Sequence, residues 1–179
     1  EIQSGVKKYP ERCIIAHPWN PPHIMPLVEV VPGPKTSKEV VDKTVNLMYE
    51  LGKKPVLLKR EVIGMIGNRL SAALWREAID LVNKGIATTE DIDYVIKYGP
   101  GLRWSIMGMF LTYHLGGGPG GIEYYLANIG PAFEMWWEDM AIWKKYPKDS
   151  FSKIVEQVTN SKIVKDMDAD IPVVFGGAH

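Results

Sequence analysis

The sequence predicts an incomplete α/β sheet followed by an all-helical region. Two observations carry that expectation. Up to about Arg60, short β-branched runs alternate with helix-type periodicity. After Arg60 every apolar pattern has helical spacing, so the boundary is expected near residues 59–62. With 179 residues, 46% of them hydrophobic, the chain can bury a core in one domain or two small ones.

The elements follow in order. Residues 2–8 form a weak helix, and Cys13-Ile14-Ile15-Ala16 is a short apolar strand. Leu27 to Val31 is a second strand, β-branched and bounded by prolines. Thr36-Ser37-Lys38-Glu39 has the pattern of a capping box, in which a hydroxyl meets the third amide and the glutamate reaches back. The helix it opens carries Val40, Val41, Val45, Met48 and Leu51 on one face and stops at Gly52; Pro55 to Lys59 is a third strand. A sheet of three short strands leaves at least one bare edge, which native proteins normally cover. The chain also opens at Glu1-Ile2-Gln3-Ser4-Gly5-Val6 without an initiator methionine, as if inside a helix. Both features lead us to expect a piece of a longer protein whose N-terminal portion covers the edge.

Beyond Arg60, Val62 to Lys84 reads as one long helix with Ile66, Leu70, Leu74, Ala78 and Leu81 on helical spacing. Thr88-Thr89-Glu90-Asp91 caps a helix through Lys97 that Gly99-Pro100-Gly101 stops. Further helices are expected over residues 105–115, 122–128, 132–146 and 151–166, giving five or six in all.

Composition narrows the partners. Lysine plus arginine equal aspartate plus glutamate at 21 each, so no net field draws the chain to nucleic acid or an anionic membrane. The single cysteine, Cys13, cannot form an internal disulfide, which suits a reducing cytoplasm. No apolar run approaches the roughly 18 residues of a membrane span, and no secretory leader is expected. The expectation is a soluble cytoplasmic protein acting on a small molecule.

The chemistry centres on Ala16-His17-Pro18-Trp19-Asn20-Pro21-Pro22, followed by Pro26-Leu27-Val28-Glu29-Val30-Val31. A histidine ends one apolar run and a carboxylate lies inside the next, with a proline-rich turn able to fold them face to face. An imidazole that takes a proton, beside a carboxylate that orients it and steadies its charged form, is a general base. A lone histidine after a strand is more often structural; the glutamate and the Asn20-Pro21 turn lower the weight of that reading, as does Asn68 through the family resemblance given below. Glu29 has the alternative of a surface strand position, and Asn68 that of an early-helix residue. His23 is expected to face solvent and His114 to lie on a helix face.

These residues resemble the 3-hydroxyacyl-CoA dehydrogenase family from the last part of its nucleotide-binding domain onward. The matching pieces are His17 with Asn20-Pro21, Leu27-Val28-Glu29-Val30, Gly64 with Asn68-Arg69-Leu70, Glu77-Ala78 and Glu90-Asp91-Ile92-Asp93, in family order over most of residues 12–103. From Gly85 through Trp104 to Gly108 the chain is most similar to carnitine dehydrogenases, with lambda-crystallin/gulonate dehydrogenase relatives close behind. The resemblance implies residues 1–60 as the last strands of a Rossmann-type NAD-binding domain and residues 61–179 as an all-α substrate and dimerisation domain. It implies NAD-dependent oxidation of a secondary alcohol at carbon 3 of an acid or thioester, without a metal. By position, His17 would take the hydroxyl proton, Glu29 would hold the His17 ring, and Asn68 would hydrogen-bond the reacting oxygen or orient His17. The family's catalytic-region serine and its glycine-rich dinucleotide fingerprint would lie upstream of Glu1, so no cofactor-binding residue is assigned, and the chain alone is expected to be inactive and to bind no NADH.

One departure bears on the substrate. Acyl-CoA members carry a Pro-Met-Gly-Pro-like sequence where this chain has Gly101-Leu102-Arg103-Trp104-Ser105-Ile106-Met107-Gly108. Arg103 offers a planar fork for a free substrate carboxylate; the alternative is pairing with Asp91 or Asp93. Trp104, Trp136, Trp137 and Trp143 could cage a quaternary ammonium, or serve as core or dimer contact. Gly116 to Gly121 formally satisfies G-x-G-x-x-G but follows a helix, so it reads as a flexible interhelical loop. Asp166-Met167-Asp168-Ala169-Asp170 mimics the start of a calcium loop without its glycine, and reads as a linker before the apolar tail 171–175. A competing expectation from another class is a non-catalytic dimerisation or crystallin-like structural module.

Overall fold

The structure, a computed structural model, describes residues 2–166. The pattern 167–170 and the apolar tail 171–175 therefore lie outside the described residues. The chain divides into two compact units, the first running to Ser71 and the second opening at Ala72.

The first unit is a three-stranded sheet with helices. Helix α1 is Ile2–Gly5, shorter than the periodicity predicts, and a 3-10 turn spans Pro10–Arg12. Strands β1 (Ile14–Pro18) and β2 (Leu27–Pro32) pair antiparallel, and β3 (Lys54–Leu57) joins β2 in parallel, giving the order β1-β2-β3. β2 is thus central, and Val28, Glu29, Val30 and Val31 are buried in an unbroken run. That run rules out a surface position for Glu29, since both faces of β2 are covered. Among the described residues β1 and β3 each have one unpaired edge.

Helix α2 (Lys38–Glu50) connects β2 to β3 and half-buries Val40, Val41, Val45 and Met48, whereas Leu51 is exposed. Its cap differs from the predicted box by one residue. Ser37 is the N-cap, its hydroxyl accepting from the Val40 amide at 3.3 Å. Thr36 Oγ1 instead donates to the Cys13 carbonyl at 2.6 Å and accepts from the Gly33 amide at 2.8 Å, so it is already committed to tying the end of β2 to the start of β1. Glu39 turns outward to Lys43.

The long helix α3 begins at Met65, not Val62, and ends at Asn83. Gly64 and Met65 have φ of 78° and 51°, a left-handed pair that turns the chain sharply into the helix. Such a conformation costs a non-glycine residue about 1–3 kcal/mol, so it persists where surrounding contacts dictate it.

The second unit is helical: the rest of α3, then α4 (Thr89–Tyr98), α5 (Pro100–Met107), α6 (Met109–Gly116), α7 (Gly121–Asn128), α8 (Gly130–Asp139), α9 (Ser150–Asn160) and α10 (Lys162–Asp166). With α3, that makes eight among the described residues, where five or six were expected. Thr88 does cap α4, and Asp91 completes a capping box. The predicted helix 105–115 is two helices broken at Gly108, φ 75°. The predicted helix 132–146 stops at Asp139 because α3 side chains capture the following strand of chain: Glu77 accepts from the Ala141 amide at 2.9 Å and Asp80 from the Trp143 indole at 3.2 Å. Ser161, in an extended conformation, separates α9 from α10. The buried positions of α3 are Ile79 and Val82, while Ile66, Leu70 and Leu74 of the predicted stripe are exposed.

The glycine run is an ordered turn and not a flexible loop. Gly118–Gly120 form a 3-10 turn, and Gly117 lies so close to the Gly121 carbonyl that no side chain fits there. His114 Nδ1 accepts from the Ile122 amide at 3.2 Å and so ties α6 to the start of α7. Among the described residues no helix is long and apolar enough to cross a membrane.

Candidate active site

The site is built from one end of the β1–β2 pair and the first turn of α3. In the antiparallel register His17 lies directly opposite Glu29. Successive strand residues alternate faces, so His17 and Trp19 point to the same side, towards Glu29. The proline loop that follows is held by Lys53, whose ammonium donates to the Pro22 carbonyl and, at 3.2 Å, to that of Met25.

Glu29 is 1% exposed, and four donors meet its carboxylate. Oε1 accepts from the amides of Ile66 at 2.8 Å and Gly67 at 3.1 Å. Oε2 accepts from the Trp19 indole at 3.3 Å and faces His17 Nδ1 at 3.2 Å. Ile66 and Gly67 carry orphan amides of the first turn of α3, where the helix dipole also favours a negative charge. Burial pushes the Glu29 carboxyl up, but the Gly67 and Ile66 amides, then Trp19, then His17, outweigh it and hold it below the usual glutamate range. Glu29 is therefore ionised.

An ionised carboxylate only accepts hydrogen bonds, so His17 Nδ1 carries the hydrogen. In the neutral ring Nε2 then holds the lone pair, and it has no hydrogen-bond partner among the described residues. The His17 side chain is 33% exposed. A buried, fixed carboxylate behind a half-open imidazole can take a proton from, and return it to, a group placed against Nε2.

The structure thus brings His17 and Glu29 together. Asn68 is on the same early turns of α3, exposed, and makes no hydrogen bond to His17; among the described residues the ring hydrogen-bonds Glu29. His23 is exposed. Arg103 and Trp104 belong to the second unit, on α5, where Arg103 is exposed and pairs with neither Asp91 nor Asp93. The four tryptophans do not share one cluster. Phe133 gathers Trp136 at 4.8 Å and Trp137 at 6.2 Å along with Tyr113 and Tyr125, whereas Trp143 stacks near Tyr146 and hydrogen-bonds Asp80. Tyr113 and Tyr125 are themselves stacked at 4.9 Å, with no room for a cation between them.

Sequence reasoning missed Trp19 and the Ile66 and Gly67 amides as parts of the site. The two-residue spacing of His17 and Trp19 was a usable signal for the first; the amides had none. A cavity of about 570 Å3 in this unit lies at the opposite end of the strands, against Cys13, Ile14, Val31 and Gly33, and includes neither His17 nor Glu29.

The comparisons agree with this architecture. Residues 1–62 match the model of the 3-hydroxyacyl-CoA dehydrogenase NAD binding domain, and residues 64–157 that of the 3-hydroxyacyl-CoA dehydrogenase C-terminal domain. The chain belongs to the 3-hydroxyacyl-CoA dehydrogenase family. Among curated relatives, an L-carnitine dehydrogenase of Pseudomonas aeruginosa is 50% identical over 129 residues, 72% of this chain and 40% of that protein. One of Oceanobacillus iheyensis is 46% identical over 137 residues, 76% of this chain and 44% of that protein. The chain therefore spans about two fifths of these relatives. Of solved structures, an NAD+-dependent dismutase, 5-formyl-3-hydroxy-2-methylpyridine 4-carboxylic acid 5-dehydrogenase, has a TM-score of 0.74 at 30% identity, covering 87% of this chain and 47% of that one. The 3-hydroxybutyryl-CoA dehydrogenase of Escherichia coli K12 has a TM-score of 0.57 at 28% identity, covering 87% and 30%.

The family's cofactor is NAD, and the described residues fit only part of its needs. A dinucleotide phosphate cradle requires a glycine loop between a strand and a helix. The glycine run here lies between α6 and α7, with its own backbone filling the turn. Among the described residues the site above supplies no phosphate cradle.

Proposed function

We propose that the full-length protein is an NAD-dependent dehydrogenase that oxidises a secondary 3-hydroxyl to a ketone, with His17 as its acid–base group. Residues 1–60 are then the last part of the NAD-binding domain and residues 61–179 a helical substrate and dimerisation domain. The observation that carries this reading is the ionised, buried Glu29 behind His17, which leaves Nε2 free to accept the alcohol proton. NAD, held by the rest of the full-length protein, supplies the hydride acceptor. Within this chain, His17 Nε2 takes the hydroxyl proton in oxidation and returns it to the ketone oxygen in reduction. Glu29 offsets the charge on the imidazolium, and Asn68, exposed near the same turn, is available to the reacting oxygen.

His17→Ala in the full-length enzyme is expected to lower kcat by roughly a hundred- to ten-thousand-fold; near wild-type turnover rejects the assignment. The 179-residue chain by itself is expected to show no NADH fluorescence enhancement and no turnover. NADH binding by the full-length protein separates this reading from a non-catalytic structural module.

A narrower reading takes a free carboxylate as part of the substrate, as in L-carnitine or L-gulonate. It is supported by the curated relatives named L-carnitine dehydrogenase and by Arg103, exposed and without a carboxylate partner among the described residues. In that reading Arg103 binds the carboxylate beside Trp104. Turnover of carnitine, gulonate and 3-hydroxybutyryl-CoA, compared in parent and Arg103→Ala, tests it. A carboxylate-specific rise in KM is expected; an unchanged KM removes Arg103 from the site. A homodimer through the helical domain is supported by apolar side chains such as Ile106, Phe110 and Met135, exposed by 75%, 87% and 71%.

A further inference from the structure

We propose that Trp19 is a positioning residue of the proton-transfer site, holding the Glu29 carboxylate so that it selects the reactive tautomer of His17. The proposal rests on the reading of His17 as the acid–base group. It starts from a logical requirement: whatever aims the His17 ring must itself be located independently of that ring. Oε1 of Glu29 meets this requirement, because two backbone amides of α3 hold it. Among the described residues Oε2, the oxygen that faces His17, has two partners, His17 itself and Trp19. The indole N–H is the restraint on Oε2 that does not come from the ring it orients, and it adds to the hold the two amides have on the rigid carboxylate through Oε1.

Trp19 is suited to the task because its ring is seated on backbone. Gly67 offers the indole a bare surface: a Cβ there would lie 2.9 Å from Trp19 Cε2, the carbon bonded to Nε1, and closer still to Cζ2. Gly67 therefore serves both oxygens. Its amide donates to Oε1, and its missing side chain admits the indole that donates to Oε2. Four donors match the roughly four lone-pair directions of a carboxylate. Rotation of the carboxyl group would break contacts at both oxygens at once, so the Nδ1–H form of His17 is the one that fits.

The test uses Trp19→Phe, which keeps a flat ring against Gly67 and deletes the N–H. In the 15N-labelled full-length protein the ring nitrogens of neutral His17 report the tautomer directly. The parent is expected to show Nδ1–H and a bare Nε2. The variant is expected to shift towards the Nε2–H form that free imidazole side chains favour in water. In the full-length enzyme, kcat is expected to fall on the order of tenfold with KM within about twofold, as for a misaligned reacting group. A purely structural role for Trp19 would move the thermal midpoint but not the tautomer ratio. An unchanged ratio with unchanged kcat overturns the proposal. Should Trp19→Phe fail to fold, Gly67→Ala displaces the indole without deleting it, and the same unchanged ratio overturns the proposal there. His17→Ala separates the two levels: if that variant keeps its activity, the acid–base reading fails; if it loses activity while Trp19→Phe is silent, only the role of Trp19 fails.

Discussion

The two units of the chain hold themselves together in contrasting ways. In the first, a central strand buried on both faces carries a single charged group, and four donors, from β1, the residue just beyond it and α3, converge on it. In the second, the polar contacts are dispersed over helix ends: Thr88 and Asp91 cap α4, Asn83 meets the buried Ser150, and Lys153 covers the last carbonyls of α3. The first unit gathers these polar contacts at one node, while the second spreads them over separate helix ends.

The most severe challenge to that contrast is Glu29→Leu. It leaves four donors facing an apolar side chain, two of them backbone amides with no other acceptor, and is expected to cost about 3–5 kcal/mol in urea unfolding. A loss below about 1 kcal/mol would mean that water satisfies those donors and that the node is not decisive.

A gentler probe is acid. Glu29 is held below its ordinary range in the folded state, so its contribution is fully present above the unfolded-state value of about 4.3 and is lost as pH falls through the folded value. Glu29→Gln is expected to be less stable than the parent at neutral pH, with the gap closing below about pH 4. A gap independent of pH would assign the loss to packing and not to charge.

The smallest effect belongs to the second unit. Thr88→Ala removes one cap from α4 and is expected to cost about 1 kcal/mol. If it cost as much as Glu29→Leu, the helical unit would have a keystone of its own and the contrast would fail.

Much of this was legible because it is local. The pairing of His17 with Glu29 could be anticipated from two apolar runs joined by a proline turn, and Thr88 with Asp91 from a cap spaced three residues apart. Gly52 and Gly99 ended helices as expected. Where local signals competed, the prediction erred by what else was within reach. Thr36 and Ser37 are equally good caps on paper; Thr36 is taken by the Cys13 carbonyl and the Gly33 amide, so Ser37 caps. Residues 140–146 have helical spacing, yet Glu77 and Asp80, more than sixty positions earlier, bind the chain there and end the helix.

The sequence by itself determined the types of element, their order and the presence of an imidazole and a carboxylate on adjoining strands, because side-chain periodicity, proline and glycine act over a few residues. Only the tertiary structure decided what the carboxylate is bonded to. The amides of Ile66 and Gly67 reach it across 37 and 38 positions, and a backbone N–H carries no residue-specific signature in the sequence. The left-handed turn at Gly64 and Met65 aims those amides, and folding accepts its strain because a buried charge at the start of α3 must be met by donors.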